Sequence, residues 1–197
     1  MDTKKKDKNF ILDLDETLIS AEPTEDYDYK KYNNKIKKFK EKPMFMDDYY
    51  IIIQRPGLQK FLDFLFQNFN VSIWTAASKD YALYIIENII LGGHPERKLD
   101  YIFFSYHCNI SKKLKKGSKD LSMLWDVYEI EGYNNKNTFI LDDLEEVFEI
   151  QNDNCIIAEQ FKFVKKNSEN DNFLKQLIPK IKKYVLKKET NIKEINI

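Results

Sequence analysis

Five short apolar runs, each closing on small or acidic residues and interleaved with stretches of helical periodicity, constrain this chain more than any other feature. Residues 9–14, "NVSIWTA" at 70–76, "DYIFFS" at 100–105, "NTFILDD" at 137–143 and "NCIIAE" at 154–159 read as buried strands. Apolar residues at helical spacing predict helices over 57–69, 78–91, 121–130 and 170–188, the last interrupted by Pro179. Strands alternating with helices predict an α/β fold: a parallel sheet flanked by helices, with right-handed crossovers. Ligands of such sheets sit at the carboxyl ends of the strands, where the polar residues of these runs fall.

Two segments break the alternation. Residues 20–54 pass from acidic "EPTEDYDY" through basic "KKYNNKIKKFKEK" to "FMDDYYIIIQ", whose alternating pattern predicts a small β-hairpin flap. Residues 106–118, "YHCNISKKLKKGS", read as a second excursion in which Gly117 permits a turn. At 197 residues the chain is expected to form one domain over 9–188, with tails at 1–8 and 189–197, the latter expected to fray.

Bulk charge points to no partner, because 32 basic and 32 acidic residues cancel. Cys108 and Cys155 lack metal-ligand spacing and are expected to be buried thiols of a reducing compartment. No apolar run is long enough to span a bilayer, and the basic start "MDTKKKDKNF" lacks a signal-peptide core. The expectation is a soluble intracellular protein with no membrane partner, nuclear and cytoplasmic locations and the oligomeric state being left open.

The first run ends in "LDLDETLIS", placing Asp13 and Asp15 at the carboxyl end of a strand, where both can project into one crevice. Close carboxylates repel unless a cation lies between them; the alternative is an exposed acidic loop. Three further elements follow at strand ends: Thr75, Lys119 and Asp142-Asp143. Singly, each has an ordinary explanation as a helix cap or a surface lysine. In this order, together with "RPGLQKFLDFL", "WTAASKDYA", "KDLSML", "FILDDLEEVF" and "DNFLKQLIP", the chain resembles the haloacid dehalogenase superfamily. Within it, the chain is similar to the FCP/SCP-type, NLI-interacting-factor-like phosphatases, over roughly residues 9–180.

The resemblance implies a haloacid dehalogenase-like sheet without a large cap domain, and a Mg²⁺-dependent phosphoserine/phosphothreonine protein phosphatase like those acting on the carboxyl-terminal repeat of RNA polymerase II. It implies Asp13 as nucleophile, forming an aspartyl-phosphate, and Asp15 as the acid that protonates the leaving oxygen and then activates water. The implied Mg²⁺ ligands are Asp13, the Asp15 backbone carbonyl and Asp143, with Asp142 in support. Thr75, with Ala76, would meet the phosphoryl group, Lys119 would offset charge around Asp13, and Thr17 would steady Asp15 beside the substrate. Two departures are visible. Ser105 stands where the family often has an arginine, and the interval from Cys108 to Lys119 is slightly expanded.

The short insert between the first motif and "RPG" predicts an open site suited to a phosphoprotein, a disordered phosphorylated repeat included. Phe39, Phe45, Tyr49 and Tyr50 on the flap offer contacts to an extended peptide, or simply pack the flap. A polynucleotide-end phosphatase using the lysines of 30–42 and 112–116 is the second reading, and a non-catalytic interaction module is the third.

Overall fold

The structure is a computed structural model describing residues 6–24, 29–47, 49–186 and 192–196. Residues 25–28, three of them acidic, and Asp48, part of the charged insert, lie outside that set, as do residues 1–5. Asn9–Leu12 forms β1, after which Leu18 N–H and Ile19 N–H both bond back to Leu14 O and reverse the chain. Ile19–Pro23 (β2), Met44–Met46 (β3) and Tyr50–Gln54 (β4) then make an antiparallel sheet in the order β2-β4-β3. Between β2 and β3 lies an eight-residue helix, Tyr29–Ile36 (α1).

The expected hairpin is β3 and β4, paired antiparallel, and it is extended by β2 as a third strand and by a helix. The motif-one turn lends β2 as the third strand, and an apolar cluster of Phe39, Ile51, Ile53, Phe161 and Phe163, with Tyr32 and Ile36 against it, roots the insert. Of the flap aromatics, Phe39 is spent in that cluster, Tyr50 packs edge-on against Tyr81, and Phe45 and Tyr49 remain exposed.

The Arg-Pro-Gly stretch turns the chain into Leu58–Asn68 (α2), with Gly57 at φ 86, a left-handed conformation that glycine adopts without a Cβ clash. Asn70–Trp74 (β5), Lys79–Ile85 (α3, continued by a wider turn over Ile86–Ile90), Leu99–Phe103 (β6) and Ser105–Leu114 (α4) follow. The second excursion expected over 106–118 is thus largely helical. The lysine run masks its periodicity, but Cys108 and Ser111 form a buried i, i+3 face, and His107 Nδ1 accepts from Phe104 N–H at the helix start. Ser122–Asp126 (α5), Thr138–Asp142 (β7), Glu145–Glu149 (α6), Cys155–Ile157 (β8) and Phe173–Tyr184 (α7) complete the order. The last helix runs through Pro179, held by its buried face of Leu174, Leu177 and Ile181.

The main sheet is parallel throughout, in the order β6-β5-β1-β7-β8. Because strand side chains alternate, Phe10 and Leu12 join a core with Phe61, Leu65 and Leu177, while Ile11 joins Trp74, Leu124 and Ile140 on the other face. The chain leaves β1 toward β5 and β6, then crosses back to β7, so the crevice at the carboxyl ends of β5, β1 and β7 is a topological switch point. Cys108 and Cys155 are buried free thiols. Of the expected carboxyl-terminal tail, Ile192 and Ile195 are buried in the main core, and Asn196 caps the edge strand β8, accepting from Ile157 N–H at 3.2 Å and donating to Cys155 O at 2.9 Å. Among the described residues no helix is long and apolar enough to cross a membrane.

Candidate active site

Asp13 extends β1 by one residue, its N–H bonding to Leu141 O at 3.0 Å, and by strand alternation it shares the face of Ile11. Asp142, the last residue of β7, shares the face of Ile140 for the same reason. The loop between α4 and α5 reaches that face and delivers Lys119, whose ammonium donates to Asp13 Oδ1 at 2.6 Å and Asp142 Oδ2 at 2.7 Å. The lysine is 1% exposed and stands at φ 57, a left-handed conformation unusual for a side chain of this kind. Gln151 secures it there, donating to Lys119 O at 2.9 Å while accepting from Leu121 N–H at 2.9 Å.

One cation thus faces two buried carboxylates. Burial raises the pKa of Asp13 to about 8 against the pull of Lys119, and the charge of Asp142 pushes the same way. Burial likewise raises Asp142, and although burial also works against the ammonium of Lys119, the two aspartates hold its pKa above its ordinary value. Asp143 adds another acid: carboxylate oxygens of Asp13, Asp142 and Asp143 all lie within 4.8 Å of one another. Asp142 is already committed, its other oxygen accepting from Leu144 N–H at 3.0 Å.

Thr75 directly follows β5, and its hydroxyl oxygen accepts from Ala77 N–H at 3.1 Å, which leaves the hydroxyl proton free to turn into the crevice. Ala76 lies exposed beside it. With Asp13, Asp15, Lys119 and Asp143, these residues line a cleft of about 400 Å³. The fold therefore gathers Asp13, Asp15, Thr75, Ala76, Lys119 and Asp143 around one space, with Asp142 behind Lys119.

Thr17 is placed differently. It is fully buried and its hydroxyl donates to Asp143 Oδ1 at 3.1 Å, so it steadies that acid and does not line the cleft. Asp15 is held instead by Tyr81, whose hydroxyl donates to Asp15 Oδ1 at 2.6 Å. Burial raises the Asp15 pKa while the tyrosine bond opposes the rise. Tyr81 escaped the sequence reading, although its place three residues after the Ser78 cap puts it on the first turn of α3, facing the strand ends. Gln160, also missed, donates to Asp143 Oδ2 at 3.0 Å, and Lys162 pairs with Glu16 at 3.0 Å on the cleft rim. Ser105 begins α4, its N–H bonding to Ala77 O at 2.9 Å, and does not line the cleft.

Arg55 organises the surroundings. Its side chain is fully buried, donates to Thr17 O at 3.0 Å and forks onto both oxygens of Asp171 at 3.0 and 2.9 Å. The guanidinium also lies 4.4 Å from the ring centroid of Phe173.

A parallel α/β sheet carrying an aspartate pair, a threonine, a buried lysine and a second acidic pair in this order around one crevice defines a phosphatase of the haloacid dehalogenase type. Within that class the chain belongs to the NLI interacting factor-like phosphatase family, whose model matches residues 8–193. It is 49% identical over 174 residues to the CTD phosphatase-like protein 355R of Invertebrate iridescent virus 6, an alignment covering 86% of this chain and 94% of that one. Identity to the protein of the same name from Invertebrate iridescent virus 3 is 42% over 177 residues, covering 87% and 92% of the two chains. Among solved structures, Fcp1, described as an essential RNA polymerase II CTD phosphatase, superposes with a TM-score of 0.54 at 20% identity. That likeness is one of fold: it covers 89% of this chain but 47% of the Fcp1 chain.

Proposed function

We propose that the chain is a Mg²⁺-dependent phosphoserine/phosphothreonine protein phosphatase working through an aspartyl-phosphate on Asp13. The observation that carries this reading is the buried Asp13–Lys119–Asp142 arrangement opening onto an uncapped cleft. Lys119 occupies Oδ1 of Asp13, and among the described residues no donor takes Oδ2, which is left to attack phosphorus. As that P–O bond forms, the bond to the serine or threonine oxygen breaks, and protonated Asp15 gives its proton to the departing oxygen. Asp15 then takes a proton from water as the water's oxygen attacks the phosphorus of the aspartyl-phosphate. Inorganic phosphate leaves and the Asp13 carboxylate is restored. Lys119 offsets the charge collecting around Asp13, Thr75 donates its hydroxyl to a phosphoryl oxygen, and Tyr81 keeps Asp15 aimed at the cleft.

The donor set suits Mg²⁺. Three carboxylates converge against a single lysine, and all are hard oxygen donors with an open cleft for water ligands. Asp13, the Asp15 backbone carbonyl and Asp143 would hold the ion, because Asp143 lines the cleft whereas Asp142 lies behind Lys119 and does not. When bound, Mg²⁺ supplies charge neutralisation for the transferring phosphoryl group. Chelation is expected to remove activity and Mg²⁺ to restore it, with Ca²⁺ a poor replacement because its larger, looser shell disturbs the attacking oxygen. Full turnover in a preparation shown to be metal-free by elemental analysis would sink the metal assignment.

The substrate class is tested by comparing kcat/KM on phosphoserine and phosphothreonine peptides with that on 3′- and 5′-phosphorylated oligonucleotides at physiological salt. The peptides are expected to be turned over faster. The flap supports this: its exposed Phe45 and Tyr49 offer apolar contact, and Lys35 and Lys38 are drawn to Glu169, at 3.9 and 3.5 Å. Faster turnover of oligonucleotide ends, with a steep fall as salt rises, would replace this reading by the polynucleotide one.

A further inference from the structure

Gln160 and Lys162, on the rim of the active-site cleft, also line a second and larger groove of about 830 Å³. Its walls include Lys165, Lys166, Asn170 and Asn172, so the acidic crevice continues directly into a channel edged by lysines and amides. Most acids nearby are already paired. Asp171 is held by both arms of Arg55, Glu169 faces Lys35 and Lys38, and Glu16 faces Lys162. Lys165 and Lys166 are exposed, and no described carboxylate lies within ion-pair distance of either.

The segment bearing these lysines is built in place. Lys165 N–H bonds to Lys162 O at 3.0 Å, Ser168 Oγ donates to Phe163 O at 2.6 Å, and Phe163 N–H bonds to Ser20 Oγ at 3.1 Å with the phenylalanine ring buried. A preformed groove binds without a large ordering cost.

We propose that this groove receives the polypeptide flanking the scissile phosphoserine or phosphothreonine, and that it selects segments carrying a second phosphate or clustered carboxylates. The inference rests on the protein-phosphatase reading and adds the class of phosphoprotein. Asn170 and Asn172 supply donors and acceptors to an extended backbone, and Lys165 and Lys166 supply the charge that a second anionic side chain would meet.

The test uses the full chain and matched peptides. One carries a single phosphoserine; the others add a second phosphoserine, or a run of aspartates, one to six residues to either side. For some spacing the added charge is expected to lower KM about fivefold, the size that two solvent-exposed ion pairs provide, with kcat within about twofold. The double variant Lys165→Ala/Lys166→Ala is expected to lose that gain, and Lys165→Glu/Lys166→Glu to invert it, both retaining wild-type hydrolysis of p-nitrophenyl phosphate. Equal KM for singly and multiply charged peptides overturns the proposal alone, as does a gain that survives in both variants. If no phosphopeptide is turned over while phosphorylated oligonucleotides are, the protein-phosphatase reading falls and takes this inference with it.

Discussion

Asp13→Asn is expected to reduce kcat on aryl phosphates and phosphopeptides by at least about 10⁴-fold, the scale seen when a nucleophile is removed from an otherwise intact site. The amide is a poor nucleophile and a weak ligand for a hard cation, yet it keeps the shape of the side chain and can still accept from Lys119. The fold should hold and gain slightly in thermal stability without added metal, because burial already disfavours the ionised carboxylate, raising its pKa to about 8. Acid-quenched reactions with radiolabelled substrate should trap an acyl phosphate on the parent protein and none on the variant. Near-normal turnover by a well-folded Asp13→Asn protein would falsify the nucleophile assignment. Asp15→Asn should differ in kind: the labelled intermediate should persist, since the water that clears it has lost its base.

Lys119→Ala combines a catalytic loss with a structural one. The ammonium is the charged group bonded to both Asp13 and Asp142, so its removal strands two carboxylates in a buried site. Breaking a buried pair by deleting one partner costs about 3–5 kcal/mol, which for a chain of this length lowers Tm by roughly 6–20 °C. The chemical step should slow by about 10²–10³-fold, the size of losing one preorganised charge stabiliser, with KM changed much less. Lys119→Arg should not rescue, because a planar fork cannot occupy the position of a compact ammonium reaching two oxygens at 2.6 and 2.7 Å. An alanine variant with unchanged Tm and kcat would show that Asp13 and Asp142 need no shared cation.

Much of this was legible in the sequence because two periodicities carry it. Four strands of the main sheet lie within the apolar runs and β6 begins one residue ahead of its run, at Leu99, and the residues at the ends of β1, β5 and β7 meet where parallel-sheet geometry requires. Lys119 was legible through motif order and its "KDLSML" context: charge alone does not distinguish it from Lys115 or Lys116, and its burial depends on a loop anchored by Gln151, distant in sequence. The flap was half legible. Alternation revealed β4, but β2 reads as the tail of motif one until the turn at Leu14 reverses it, and α1 is lysine- and asparagine-rich with few apolar residues to mark a face. Thr17 was misplaced for a similar reason. Which way a turn tucks a side chain is set by tertiary contacts, here Asp143 and the Arg55 bond to Thr17 O, neither of which is near it in sequence.

The guanidinium of Arg55 ties together groups 38 and 116 residues away in the chain, at Thr17 and Asp171. The order of synthesis consequently matters. On a ribosome adding about 5–20 residues per second, β1 emerges with neither of its sheet neighbours made, and its β7 partner follows only after well over a hundred further residues. The turn that aims the first aspartates cannot be clamped until α7 begins to appear. Pairings of such long sequence separation bear their loop-closure entropy before any contact rewards it, so folding should be slow beside that of a helical chain of equal size. A nascent chain stopped before Asp171 would present the first acidic motif, and even Lys119 and the acidic pair, without the fastening that holds the motif-one turn in register.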